Sequence, residues 1–159
     1  MSTIGFDTSN YTTSTAWTDG KTDINVRQIL YVKDGERGIR QSDGVFQHMK
    51  LMPVMYEKLS EQIDFKDVKA VGVSTRPRCV EGSYMPVFLA GEGYAKVVAD
   101  TLGVPLYEFS HQDGHIMAGI YSSGSFELLE NDFISVHLSG GTTEILKSRY
   151  NGFNFDNEI

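Results

Sequence analysis

The run Val68-Lys69-Ala70-Val71-Gly72-Val73-Ser74 is almost entirely apolar, and it ends in the turn-forming residues Thr75-Arg76-Pro77-Arg78. A short apolar run of this kind is typical of a strand that is buried inside a parallel sheet. Parallel strands need crossover connections, which are usually helices. The run therefore predicts an α/β fold, with further strands and helices on either side of it in the sequence.

Upstream of this run, the chain begins with three segments of strand character, separated by the turn-forming pairs Ser9-Asn10 and Asp19-Gly20. They predict antiparallel strands over residues 3–8, 12–18 and 25–33. The Gly- and Asp-containing stretch that follows, as far as Gly44, predicts a loop. From residue 45 to 59 apolar side chains recur at helical spacing, which predicts a helix with a bend at Pro53.

Downstream of the run, strands and helices alternate. An apolar helical pattern ends before Gly103, a short strand is predicted over 106–109, and a third helix over 111–122. Residues 133–150 then repeat the opening pattern of strand, tight turn and strand. This order predicts a mixed sheet with antiparallel opening strands and helices packed on both faces.

Composition limits the possible functions. The 159 residues are 40% hydrophobic, enough for a domain with a core. With 21 acidic and 14 basic residues, the net charge of −7 disfavours nucleic-acid binding by this chain alone. The single Cys79 excludes an internal disulfide, and no apolar run has transmembrane length or follows a basic start like a secretion signal. A cytoplasmic location is therefore expected.

Two histidines stand four residues apart in His111-Gln112-Asp113-Gly114-His115, directly after Ser110, a good helix cap. At this spacing both imidazoles project from one helical face. The pair is typical of a clip for a divalent metal, whose remaining ligands must come from elsewhere in the protein.

The turn Ser139-Gly140-Gly141-Thr142-Thr143 is the second candidate site. Its glycines allow backbone N–H groups to converge on an anion such as a phosphate, because no Cβ stands in the way. An ordinary Gly-Gly hairpin turn is an equally good interpretation of the same residues.

Five motifs in a fixed order carry a resemblance to a known family. They are Ile4-Gly5-Phe6-Asp7-Thr8-Ser9, Gln47-His48-Met49-Lys50-Leu51-Met52-Pro53, Gly72-Val73-Ser74-Thr75-Arg76, His111-Gln112-Asp113-Gly114-His115-Ile116 and Leu138-Ser139-Gly140-Gly141-Thr142-Thr143. This series resembles the tRNA threonylcarbamoyl-adenosine transferases of the TsaD type, formerly called glycoproteases. The resemblance implies the actin-like ATPase (ribonuclease H-like) fold.

The family has two similar lobes, with metal and nucleotide in the cleft between them. The resemblance implies that residues 1–126 form the first lobe and that residues 127–159 form the opening β-hairpin of a truncated second lobe. A carboxylate from the later half completes the family's metal site, so this chain alone is not expected to be a complete enzyme. The implied metal ligands are His111 and His115, holding iron or zinc. The implied binding residues for ATP or an adenylate-type nucleotide, with magnesium at the aspartate, are Asp7, Leu138, Ser139, Gly140, Gly141 and Thr142.

Several residues depart from the family pattern. Arg76-Pro77-Arg78 stands where the family usually has Gly-Pro-Gly, Thr142 replaces a His, and Asp7 replaces a frequent Glu. The two arginines fit either a different anionic ligand or a surface turn. These departures suggest a divergent paralogue.

Two functions follow from the resemblance. The first is an enzyme lobe for threonylcarbamoyl transfer to tRNA, favoured by the retained His pair. The second is a noncatalytic scaffold or partner-binding subunit, favoured by the altered loop and Thr142. The expected partners are a paralogous subunit of the same fold and, through the full complex, tRNA, with no membrane. The unpaired edge and apolar face of the hairpin also predict a homodimer of this chain.

Three further residues have plain structural interpretations. His48 is expected at a helix surface or in packing, and His137 either faces the cleft or packs against the sheet. Cys79 follows two arginines that could lower its pKa, but no catalytic base lies near it in sequence, so a nucleophilic role is not favoured.

Overall fold

The computed structural model describes residues 1–138 and 143–158. These residues form a five-stranded sheet, a three-stranded sheet, three α-helices and two short 3-10 helices. The strands are β1 (Ser2–Asp7), β2 (Thr12–Thr18), β3 (Asp23–Ile29), β4 (Val68–Arg76), β5 (Leu106–Ser110), β6 (Phe133–Leu138), β7 (Thr143–Tyr150) and β8 (Phe155–Glu158). The helices are α1 (Gln41–Ser60), α2 (Phe88–Leu102) and α3 (His111–Ser123), and the 3-10 helices are Phe65–Asp67 and Phe126–Glu130.

The five-stranded sheet has the order β3-β2-β1-β4-β5. Its first three strands pair antiparallel, whereas β4 pairs parallel with both β1 and β5. The predicted antiparallel opening and the predicted buried parallel strand are therefore confirmed. Because β1, β4 and β5 run in the same direction, their carboxyl ends meet at one edge of the sheet.

The core lies between one face of this sheet and helices α1 and α2. Successive strand residues point to opposite faces of a sheet, so alternate side chains of β1, among them Ile4 and Phe6, reach the helices. The buried members of the core are Ile4, Phe6, Met52, Leu59, Val68, Val71, Val73, Ala95 and Ala99.

Helix α3 covers the opposite face. Asp7 follows Phe6 in β1, so its side chain points away from α1 and α2, and it contacts His111 at the start of α3. Near the end of α3, the Tyr121 hydroxyl donates to Asp23 Oδ1 of β3 at 3.3 Å. Helices therefore lie on both faces, as predicted.

The helix boundaries agree with the sequence at most positions. Gly103 ends α2 with φ +66°, and Pro53 lies inside α1. The prediction of a loop as far as Gly44 is wrong, because α1 begins at Gln41. A Cβ on Gly44 would come within 2.8 Å of Val87 Cγ1, so this glycine permits close packing inside a helix. None of the helices in the described ranges is long and apolar enough to cross a membrane.

The three-stranded sheet has the order β6-β7-β8, and β7 pairs antiparallel with both neighbours. The predicted strands on either side of the Gly-Gly turn are confirmed, and β8 adds a third strand that the sequence analysis did not predict. Leu146, Ser148 and Phe155 are buried on one face. The other face exposes the apolar side chains of Ile134, Val136, Leu138 and Ile145.

The structure places His48 inside the fold. Its side chain is fully buried in α1, and Nδ1 lies 2.7 Å from the Thr13 hydroxyl of β2. Burial lowers the pKa of His48, against weaker opposing effects from Asn10 and Asp7. The packing role anticipated for His48 is thus the one it has.

We expect the free energy of unfolding to decrease as the pH falls below 6.5, the ordinary pKa of His48. The unfolded chain takes up a proton there, whereas the folded chain takes it up only at lower pH, so acidification favours unfolding. The slope contributed by this one group is at most about 1.4 kcal/mol per pH unit. Urea unfolding of wild type and His48→Gln between pH 8 and pH 5 measures it. An identical pH slope in the two proteins would contradict the prediction.

Candidate metal centre

The first turn of α3 is held by its N-terminal cap. The Ser110 hydroxyl accepts from the Asp113 backbone N–H at 3.1 Å, and Asp113 Oδ2 accepts from the Ser110 backbone N–H at 3.3 Å. Both residues are buried. This capping box begins the helix directly at the end of β5 and so places His111 at the carboxyl edge of the parallel strands.

The structure brings His111 and His115 together. Their Nε2 atoms are 2.8 Å apart and their ring centroids 4.2 Å apart. The two rings meet edge to face, and at this distance one Nε2 atom donates a hydrogen bond to the other.

Asp7 lies behind His111. Its Oδ2 accepts from Nδ1 of His111 at 2.9 Å, and its Oδ1 accepts from the Ser9 backbone N–H at 2.8 Å. Because an ionised carboxylate only accepts, Nδ1 of His111 carries the proton and Nε2 faces the cleft. The aspartate therefore fixes both the orientation and the tautomer of this imidazole.

The surroundings of these groups set their protonation. Burial raises the pKa of Asp7, but the hydrogen bond and charge of His111, with bonds from Ser9 and Ser74, lower it overall to about 2. Burial also lowers the pKa of His115, and the neighbouring His111 and His137 act in the same direction. At neutral pH the site thus combines an ionised carboxylate with a neutral imidazole at position 115.

A second group of polar residues adjoins the imidazole pair. Glu144 of β7 accepts from Arg78 Nη1 at 2.6 Å and from Gln112 Nε2 at 3.0 Å. His137 Nδ1 lies 3.8 Å from the same carboxylate, and its ring centroid is 5.5 Å from that of His115. The structure thus places His137 beside α3, next to His115 and Glu144. Arg78, considered for a surface turn or an anion site, is 42% exposed at its side chain and forms an ion pair with the nearly buried Glu144.

Sequence reasoning missed Gln112 and Glu144 altogether. The only signal in the sequence is position: Gln112 directly follows His111, and Glu144 directly follows the glycine-rich turn. Gln112 and Glu144 are 32 residues apart in the sequence, and Arg78 is farther still from Glu144. No local sequence pattern indicates contacts between residues so far apart.

A polar cavity of about 320 Å³ lies between α3 and the first three strands. It is lined by Asp7, Ser9, Thr12, Ser14, Asn25, Arg27, His111 and His115. The imidazole pair therefore borders a space large enough to admit part of a polar ligand.

The predicted nucleotide-binding turn can be followed only at its ends. Ser139, Gly140, Gly141 and Thr142 lie outside the described residues. Leu138, at the end of β6, is 72% exposed on the open face of the second sheet. Within residues 1–138 and 143–158, no group of three His, Cys, Asp or Glu side chains has the arrangement of a metal site.

A family model described as TsaD, tRNA N6-adenosine threonylcarbamoyltransferase, matches residues 35–158. The chain belongs to the TsaD family. The tRNA N6-adenosine threonylcarbamoyltransferase of Pyrobaculum calidifontis is 28% identical over 144 residues, which are 89% of this chain and 40% of that protein. The one from Christiangramia forsetii is 33% identical over 98 residues, which are 61% of this chain and 27% of that protein. This TsaD-family chain thus spans less than half the length of these relatives.

Solved structures give the fold of the TsaD-family chain. YeaZ from Pseudomonas aeruginosa superimposes with a TM-score of 0.60 at 11% identity, over 100% of this chain and 66% of YeaZ. The ethanolamine utilization protein EutJ from Carboxydothermus hydrogenoformans superimposes with a TM-score of 0.52 at 17% identity, over 99% and 52%. The predicted family and the predicted actin-like ATPase fold are both confirmed.

We expect Asp7→Asn to lower the free energy of unfolding by about 2 kcal/mol at pH 7. The folded-state pKa of Asp7 is lowered from 3.8 to about 2, so the ionised carboxylate stabilises the fold above pH 3.8. That stabilisation declines below pH 3.8 and is lost as the pH falls through 2, so the difference between the two proteins should be smaller at pH 3 than at pH 7. Urea unfolding at pH 7 and pH 3 measures the difference. The control is Asp19→Asn, in an exposed turn; an equal loss in both variants would contradict the prediction.

Proposed function

We propose that this chain is the N-terminal part of a metal-dependent transferase that moves a threonylcarbamoyl group to adenosine in tRNA. One observation carries the proposal: the Nε2 atoms of His111 and His115 converge to 2.8 Å, with Asp7 at 2.9 Å behind the first imidazole. Family membership supplies the reaction class.

The residues present fit iron or zinc. Imidazole nitrogen is a good ligand for both metals, and the neutral form that binds is favoured at His115 by its lowered pKa. A carboxylate on the far nitrogen of a ligating imidazole, as Asp7 is on His111, strengthens that ligand and fixes its ring. When bound, the metal would polarise the carbamoyl group as a Lewis acid. Two imidazoles leave positions for further ligands from the rest of the protein and for substrate oxygens.

The remaining tasks fall to residues of the polar cavity. We assign the nucleotide, ATP or an adenylate, to the space bordered by Asp7, Ser9 and Ser14, with magnesium near the aspartate. The turn from Leu138 to Thr142 is assigned to the phosphate groups. The acidic net charge of −7 supports a division in which tRNA is held chiefly by other parts of the complex.

We propose a first lobe at 1–126 and the start of a second lobe at 127–159, a cytoplasmic location, and a paralogous partner subunit of the same fold. The exposed apolar face that includes Val136 and Ile145 supports the proposed homodimer of this chain. The noncatalytic scaffold is the second candidate, and the observation that favours it is the ion pair through which Arg78 joins the altered loop to the second sheet.

Metal binding is tested by elemental analysis and zinc titration of the purified protein beside His111→Ala/His115→Ala. We expect about one equivalent of iron or zinc in wild type and its loss in the double variant, because both proposed ligands are gone. The matched control is Lys96→Ala/Asp100→Ala, another i, i+4 pair on an exposed helical face. Circular dichroism shows whether each variant is folded.

Equal metal content in the double variant and wild type would contradict the proposed ligands. Absence of metal from both would favour the scaffold. With metal bound, tRNA modification by the complete protein and its partners decides the reaction, since a scaffold would be unaffected by loss of the two histidines.

A further inference from the structure

We propose that Glu144, whose charge is compensated by Arg78, holds the three-stranded sheet against the first turn of α3 through Gln112 and thereby positions the imidazole pair; Arg78 and Glu144 together are called the latch. Both are positioning residues, since neither forms a hydrogen bond with His111 or His115. The latch itself is argued from contacts, and only its effect on metal affinity rests on the proposed function.

Three segments distant in sequence meet at Glu144. Its Oε1 accepts from Nη1 of Arg78, which lies in the loop that follows β4, at 2.6 Å. Its Oε2 accepts from the Gln112 side-chain amide at 3.0 Å, in the first turn of α3. The carboxylate belongs to β7 and is 9% exposed. One buried side chain thus joins the second sheet to both the loop and the helix.

Gln112 transmits this contact to the imidazole pair. Its backbone N–H donates to the Pro77 carbonyl at 3.0 Å, while its side chain donates to Glu144. The residue is 4% exposed and directly follows His111. Because Gln112 is held at both its backbone and its side chain, a displaced Glu144 would move the first turn of α3 and the position of His111.

The latch differs from the surface ion pairs of the described residues. Lys96 and Asp100 are each more than 60% exposed, and such pairs contribute little to structure. In the latch Arg78 is 42% exposed but Glu144 is only 9% exposed, so removing Arg78 leaves a nearly buried carboxylate without its cation, whereas removing both charges does not. The single and double substitutions are therefore expected to behave in opposite ways.

The test uses hydrogen exchange measured by mass spectrometry and zinc affinity measured against a competing chelator. In Arg78→Met we expect exchange to rise at least about tenfold in peptides covering 143–150 and 111–116, with the five-stranded sheet still protected. Zinc affinity should fall about tenfold, the usual effect of a lost supporting contact. Lys96→Met is the control and should change neither quantity.

The double variant Arg78→Met/Glu144→Gln should return both quantities to within about threefold of wild type, because the glutamine oxygen at position 144 still accepts from Gln112. Arg78→Met/Glu144→Leu also removes both charges, but leucine cannot accept from Gln112. In this variant hydrogen exchange should therefore stay raised and zinc affinity should stay lowered. This pair decides the point even if Arg78→Met alone does not fold.

Three results would overturn the latch: unchanged exchange in both peptides, an equal rise across the whole chain, or identical behaviour of the two double variants. Looser peptides with unchanged zinc affinity would overturn the positioning role. Absence of zinc binding in wild type would overturn the proposed metal site instead, and the exchange measurement would then decide the latch on its own.

Discussion

The hydrogen bond between Asp7 and His111 is the contact on which the candidate site depends. It joins residues 104 positions apart, one at the end of β1 and the other at the start of α3. It forms because β1, β4 and β5 are parallel and deliver their carboxyl ends to one edge of the sheet. Ser110 caps α3 at the end of β5 and so places His111, the first residue of the helix, at this edge. The geometry of the site thus follows from the order of the strands in the sheet and from the capping of α3.

Two carboxylates, one on each sheet, organise opposite sides of the cleft. Asp7 is partly buried against an imidazole and serine groups that lower its pKa, so it stays ionised and holds His111 in one tautomer. Glu144 is buried against Arg78 and Gln112, which bind both of its oxygens. In each case the cost of burying a charge is offset by specific hydrogen bonds, and those bonds orient the residues around the imidazole pair.

The chain is a TsaD-family member. Arg78 stands in the loop after β4, and in this structure its charge is matched by Glu144. This ion pair joins the loop to the three-stranded sheet. The His pair is retained with its cap and its supporting aspartate, so the altered loop lies beside the candidate metal centre without removing any part of it.

The sequence by itself determined the fold class, most element boundaries, the family and the spacing of His111 and His115, because hydrophobic period, glycine positions and motif order are local properties of the chain. It did not predict that Gly44 lies inside a helix, that β8 exists, or that Glu144 binds Arg78. Those features depend on which surfaces dock after the sheets have formed. Only the tertiary structure decided the partners of the carboxylates of Asp7 and Glu144, because those partners are distant in sequence and no local pattern identifies them.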